Sequence, residues 1–81
     1  MELLDTVELM VSDDYKNRMK AEYFQTKIRY DKLHKMIVKY ESNTLDFEPS
    51  CSLDLLKKQA SAMGQYLYYL EMRAEIEGIE L

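Results

Sequence analysis

Tyrosine and arginine are the residue types in this chain whose chemistry best suits a ligand, and there are seven tyrosines and no tryptophan. Arg18 and Arg29 are eleven residues apart, so they lie on one flank of any helix that contains both. An arginine fork binds phosphate oxygens, and a tyrosine ring stacks on a base. These patterns predict a site for a small anionic nucleotide. The expected ligand-binding residues are Tyr15, Arg18, Lys20, Tyr23, Arg29, Tyr66 and Tyr69.

Charge is sorted by segment along the chain. Residues 15–40 carry eight cations and two anions, whereas residues 1–14 carry five anions and no cation. Residues 41–81 carry eight anions and three cations, and the net charge is −4. The basic segment therefore either neutralises acidic segments of its own fold or holds an anionic ligand. A negative chain of this kind does not suit long nucleic acid.

The residues of catalytic and metal sites are almost absent. His34 is the one imidazole and Cys51 the one thiol, so neither has a partner at metal-ligand spacing. A structural role is the more common one for each. No glycine-rich phosphate loop and no HExxH motif occurs. We expect no enzymatic activity, no cofactor and no bound metal.

Hydrophobic spacing predicts two long helices and a short one before them. The first long helix spans about residues 14–41, and the second begins at Ser50, Cys51 or Ser52 and ends near Glu77, before Gly78. Each carries an apolar seam with alternating steps of three and four residues. The seams are Met19, Tyr23, Thr26, Tyr30, Leu33, Ile37 and Tyr40 on the first helix, and Leu53, Leu56, Ala60, Met63, Leu67, Leu70 and Ala74 on the second.

Helices of similar length joined by about ten residues form an antiparallel hairpin. The fold class is therefore all-α, with an N-terminal helical extension over residues 1–12 and a hairpin domain over residues 13–81. The second helix has a further apolar stripe, Leu55, Ala62, Tyr66 and Tyr69, with Met72 and Ile76 beside it. Two stripes require two neighbours. We expect a homo-oligomeric bundle, with the N-terminal helix covering part of the second stripe.

Targeting signals are not evident. No run of 18 apolar residues occurs, so no membrane span is expected, and the first ten residues lack the basic start of a signal peptide. A single free thiol suits a reducing compartment. We expect a protein of the cell interior.

Three groups of residues carry a resemblance to a known family. They are Tyr15, Arg18, Met19, Glu22, Arg29 and Leu33, the turn from Pro49 to Cys51, and Leu55, Leu56, Gln59, Met63, Tyr66, Leu67, Leu70 and Arg73. Through these groups, residues 14–81 resemble a family of small helical-hairpin proteins of phages and prophages, named after a protein of a crAss-like phage. Gly64, the Tyr68–Tyr69 pair and the first dozen residues depart from its pattern.

The resemblance implies a phage accessory protein that acts in the cytoplasm of a bacterial host. The architecture is also similar to phage sponge proteins, which trap cyclic nucleotide signals of bacterial immunity between subunits. The leading hypothesis is therefore a non-enzymatic counter-defence protein that sequesters such a signal. Two alternatives stay open: an inhibitor or adaptor that binds a host defence protein, and a small structural bundle protein of the phage.

Overall fold

The computed structural model describes all 81 residues and is entirely helical. A 3-10 turn over Leu3–Thr6 leads into a short helix, α1, at Val7–Met10. The two long helices are α2, Tyr15–Glu41, and α3, Leu53–Glu77. The predicted all-α class and helix boundaries are confirmed to within about a residue.

Polar side chains cap the N-termini of both long helices. The Asp14 carboxylate accepts a hydrogen bond of 3.0 Å from the backbone N–H of Lys16. Among the three predicted starts of α3, Ser52 is the cap, because its hydroxyl accepts from the backbone N–H of Leu55 at 3.2 Å. Each bond satisfies a donor that the first helical turn leaves without an internal partner.

Left-handed residues end both helices. Gly78 follows α3 with φ 68°, as predicted. Asn43 follows α2 with φ 59°, and the next residue, Thr44, returns its backbone N–H to the Lys39 carbonyl at 2.9 Å. Asn43 therefore occupies the left-handed position after the end of α2, a position that glycine takes most often.

The helices α2 and α3 pack antiparallel along the predicted seams. All fourteen seam residues are buried or half-buried, which confirms the heptad interpretation. Burial is deepest near the helix ends remote from the connecting loop. The core cluster there comprises Met19, Tyr23, Leu67, Leu70, Ala74 and Ile79.

The N-terminal segment docks on α2. Thr6 is fully buried, and its hydroxyl accepts from the Gln25 amide at 2.9 Å and donates to the Leu3 carbonyl at 2.7 Å. Neither the 3-10 turn nor α1 packs against α3. The expected cover over the second stripe of α3 is therefore absent, and Leu55 and Ile76 are 54% and 80% exposed.

No helix combines the length and the apolar character needed to cross a membrane.

Candidate ligand-binding face

Two tyrosine–carboxylate contacts define opposite sides of the hairpin. The Tyr15 hydroxyl donates to Glu77 at 3.0 Å, and the Tyr23 hydroxyl donates to Glu71 at 2.8 Å. Tyr15 and Tyr23 lie about 80° apart around α2: Tyr23 is in the seam, whereas Tyr15 is at its edge, toward the flank that holds Arg18 and Arg29. Their partners lie correspondingly on the two flanks of α3. The hairpin thus has one flat face beside Tyr15 and another beside Tyr23.

The Tyr15 side brings together most of the predicted ligand residues. At about 100° per residue, Arg18 and Arg29 fall on the same side of α2 as Tyr15. On α3, Tyr66 precedes Glu77 by eleven residues and lies about 20° from it around the helix. Tyr69 precedes Glu77 by eight residues and lies about 80° from it, further from the seam on the same flank. We call this surface the Tyr/Arg face. It comprises Tyr15, Arg18, Arg29, Tyr66, Tyr69 and Arg73.

The three guanidinium groups of the Tyr/Arg face differ in their partners. Arg18 donates to the carbonyl oxygen of Ser12 at 2.7 Å, so it also holds the N-terminal segment. Arg73 approaches the Glu77 carboxylate at 3.4 Å. Arg29 is exposed and has no carboxylate within 4.0 Å. Arg29 is therefore the guanidinium with its full charge and all its donors available to a ligand.

The two α3 tyrosines of the Tyr/Arg face also lack hydrogen-bond partners within the chain. Tyr66 is 42% exposed and Tyr69 is 58% exposed. Neither hydroxyl makes a hydrogen bond, and the Tyr69 ring lies 5.9 Å from the ring of Tyr68. Large solvent-exposed aromatic side chains of this kind suit an interface that buries the rings and leaves the hydroxyls in contact with water.

Tyr15 sits at the edge of the Tyr/Arg face and is half-exposed. Its hydrogen bond to Glu77 is the largest cause that raises the pKa of the phenol, followed by partial burial. The hydroxyl is therefore a neutral donor already engaged by the chain. A ligand that used this hydroxyl would have to compete with Glu77.

Two predicted ligand residues lie elsewhere. Tyr23 is buried in the core cluster, where burial, and then its hydrogen bond to Glu71, raises the pKa of the phenol to about 12. Lys20 lies on the opposite flank of α2 from Arg18 and Arg29 and is half-buried. The structure therefore places five of the seven predicted residues on one face and separates Tyr23 and Lys20 from them.

A stack of side chains on α2 accounts for His34. The Tyr30 and His34 rings stack with centroids 5.9 Å apart and planes 13° from parallel. The Lys27 ammonium lies 5.8 Å from the Tyr30 ring and pairs with Asp31 at 2.8 Å, and that hydrogen bond is the main cause that raises the pKa of Lys27. His34 therefore has a packing role. No group of three metal-binding side chains comes together anywhere in the chain.

Arg73 is the member of the Tyr/Arg face that the sequence-based prediction missed. It lies four residues after Tyr69 and seven after Tyr66, which is the spacing of one helical side. That spacing is the signal that could have identified Arg73 as a residue of this face. The part of α3 after Tyr69 is acidic, however, so the sequence favours an ion pair between Arg73 and Glu77. The fold adds the missing fact, which is that Arg29 and Arg73 belong to the same side of the hairpin.

The fold and its exposed side chains define a class of small helical-hairpin proteins with a cationic and aromatic face. A family model described as Sequestin matches residues 13–76. The chain belongs to the Sequestin family. No curated protein and no solved structure matches it.

Proposed function

We propose that this protein is a phage counter-defence protein that sequesters a small anionic nucleotide signal of bacterial immunity. It acts without catalysis in the bacterial cytoplasm and binds the signal where copies of the chain meet. The family name, Sequestin, points to the sequestration of a molecule. The observation that carries the proposal is the exposed Arg29, without any carboxylate partner, on the same face as the exposed rings of Tyr66 and Tyr69.

The chemistry of the face matches the two parts of a nucleotide. A guanidinium makes two parallel hydrogen bonds to phosphate oxygens, and the bond is stronger because both partners are charged. Stacking of a base on an aromatic ring contributes about 1–3 kcal/mol and tolerates any base. Arg29 supplies the first contact, and Tyr66 or Tyr69 supplies the second.

A shared site between copies fits the distances along α2. Arg18 and Arg29 are separated by about 16 Å at the rise of an α-helix, which is too far for both to bind one phosphate from a single chain. A second copy packed on the stripe of α3 brings its own arginines to the rim of the same interface. One ligand then receives guanidinium groups from two chains.

The shape of the chain leaves room for a second copy. It measures 43 × 25 × 17 Å, and its accessible surface of 5981 Å² exceeds the roughly 5,100 Å² of a compact monomer of this mass because the hairpin is elongated. A stable interface buries roughly 800 Å² of each partner, which a long exposed face of this kind can supply.

The direct test is calorimetry of the purified protein at tens of micromolar against cyclic dinucleotides, cyclic trinucleotides and ADP-ribose derivatives. We expect saturable binding of at least one, and at least a tenfold loss of affinity in Arg29→Gln. Lys16→Gln is the matched control, because Lys16 is an exposed cation of α2 on the other flank. The proposal is contradicted if no ligand of the panel binds, or if Arg29→Gln and Lys16→Gln lose affinity equally.

A second function, that of an adaptor or inhibitor of a host defence protein, is favoured by the exposed apolar stripe of α3. Such stripes commonly mark protein-binding surfaces. Pull-down from bacterial lysate separates the two functions. The adaptor captures a stoichiometric protein partner through this stripe, whereas a sponge captures none.

A further inference from the structure

We propose that the chain has a second ligand site, on a groove between α2 and the loop that follows it, which binds a nucleoside phosphate. The groove is open to solvent and has a volume of about 240 Å³. It is lined by Lys32, Lys35, Met36, Lys39, Leu45, Asp46 and Phe47. We call it the lysine groove.

The charge of the lysine groove is concentrated and unpaired. Lys32, Lys35 and Lys39 recur on one side of α2 and all are exposed. None has a carboxylate within 4.0 Å, whereas four other cations of the chain do. Three ammonium groups beside one concavity repel one another, and an anion bound among them removes that repulsion. Phosphate, with its several acceptor oxygens, is the common biological anion that can bind more than one of them.

The loop supplies the apolar wall. After Asn43 the chain turns back along α2, so that Leu45 and Phe47 face the lysines across the groove. Phe47 is 56% exposed, although it is one of only two phenylalanines in the chain. Phe47 also borders a neighbouring hollow of about 250 Å³, lined by Tyr40 and Asn43 among others. An open aromatic ring beside three cations suits a ligand that carries a flat ring and a phosphate.

Asp46 narrows the ligand class. It is the one acidic side chain of the lysine groove, and it forms no ion pair with the three lysines that line the same groove. A carboxylate accepts hydrogen bonds from the paired hydroxyls of a ribose, and it weakens binding of an anion that has no donors. The combination of phosphate-binding cations, an aromatic ring and a hydroxyl acceptor describes a nucleoside monophosphate.

The lysine groove is separate from the Tyr/Arg face in position and in what it requires. Its lysines lie on the side of α2 that faces away from α3. All its walls come from one chain, so it does not need a second copy. The two proposals can therefore fail independently.

The test is a titration of the intact protein with AMP and with inorganic pyrophosphate, followed by NMR shifts of the backbone amides of residues 32–47. We expect saturable shifts with AMP, and at least a tenfold weaker affinity in the triple variant K32Q/K35Q/K39Q. Lys58→Gln is the control, since Lys58 is an exposed cation on α3. These substitutions lie on exposed positions, and circular dichroism checks that helicity is retained.

Two further variants complete the test. Phe47→Ala should weaken AMP binding at least threefold and leave pyrophosphate unchanged, because only AMP has a ring to stack. Lys16→Gln removes an exposed cation of α2 outside both the lysine groove and the Tyr/Arg face, and it should leave both unchanged. The proposal is overturned if AMP causes no saturable shift of residues 32–47 at millimolar concentration, or if the triple variant binds as the unaltered protein does. Either result would leave the proposed function standing.

Discussion

The hydroxyl of Tyr23 donates a hydrogen bond of 2.8 Å to Glu71, and this contact joins α2 to α3 beside the most deeply buried part of the hairpin. Tyr23 has the spacing of a seam residue and the chemistry of a ligand residue. Its ring packs in the core cluster, and its one polar atom is already bonded. The seam therefore accounts for this tyrosine completely.

The Tyr23–Glu71 contact predicts a loss of stability at alkaline pH. The phenol ionises near pH 10 in the unfolded chain and near pH 12 in the folded one. The raised folded pKa means that the contribution is fully present below pH 10 and is lost as the pH rises toward 12. Urea unfolding between pH 8 and pH 11, followed by circular dichroism, should show the free energy of unfolding falling above pH 10.

Tyr23→Phe should flatten that decline and cost about 1 kcal/mol at pH 8, the usual net value of one hydrogen bond. Tyr15→Phe is the matched control. Its phenol also bonds a carboxylate, but it is half-exposed, so the change should be smaller at every pH. An equal effect of the two substitutions would mean that burial is not what distinguishes Tyr23.

Gly64 lies against the ring of Tyr30 in the middle of the hairpin. A Cβ at this position would be 3.5 Å from the nearest ring carbon, which is ordinary van der Waals contact. Alanine also favours a helix interior by about 1 kcal/mol over glycine. We expect Gly64→Ala to raise the free energy of unfolding of the hairpin by up to about 1 kcal/mol in urea titrations. A loss of stability would show that the Tyr30 ring cannot accommodate the added methyl group. A loss of assembly in sedimentation would show that a neighbouring chain packs against this position.

The sequence predicts the helices and seams well because those signals are local. Ser52 and Gly78 mark the ends of α3, and the alternating spacing of residues such as Leu67 and Leu70 marks its buried side. Each signal acts within one or two turns of the residue that carries it. These are the features that a single sequence encodes without knowledge of the tertiary fold.

The candidate sites are less predictable because they depend on contacts between distant segments. The connecting loop bends back over α2, and this bend rather than any spacing brings Phe47 to Lys35 and Lys39. Arg29 and Arg73 share a face only because the helices pair in one particular register. The N-terminal segment docks on α2 and leaves the second apolar stripe of α3 exposed, and this arrangement likewise follows from tertiary packing.

The bare stripe of α3 predicts that assembly depends on it. Ile76→Glu should shift the protein to a single subunit in sedimentation velocity, because a buried charge without a partner opposes the interface. Leu4→Glu is the matched control. Leu4 is 81% exposed, as Ile76 is 80% exposed, but it lies on the N-terminal segment. If the unaltered protein sediments as one subunit at high concentration, assembly through this stripe is wrong.

Asn43 predicts a stability difference between two small substitutions. Its φ of 59° is left-handed, which glycine adopts freely and alanine does not. Asn43→Ala should lower the free energy of unfolding by about 1 kcal/mol, whereas Asn43→Gly should leave it within a few tenths. Urea titration checks both. Equal effects would mean that the asparagine side chain, rather than the backbone angle, matters here.

Thr6 predicts a local loosening of the N-terminal segment without unfolding of the hairpin. Thr6→Val keeps the shape but removes the oxygen that accepts from Gln25 and donates to Leu3. The Gln25 amide then loses its oxygen acceptor, at a cost of about 1–3 kcal/mol. Hydrogen exchange and proteolytic cleavage within residues 1–12 should become faster, while the urea midpoint of α2 and α3 moves little.

Thr44→Val is the control for that substitution. Thr44 is exposed, and its hydroxyl bonds only the Lys39 carbonyl of the helix before it, at 3.3 Å. It should leave exchange in residues 1–12 unchanged. Because the Arg18 guanidinium also holds the segment through Ser12, Thr6→Val combined with Arg18→Gln should release it further. If the urea midpoint of α2 and α3 falls whenever hydrogen exchange in residues 1–12 becomes faster, the segment and the hairpin unfold as one unit.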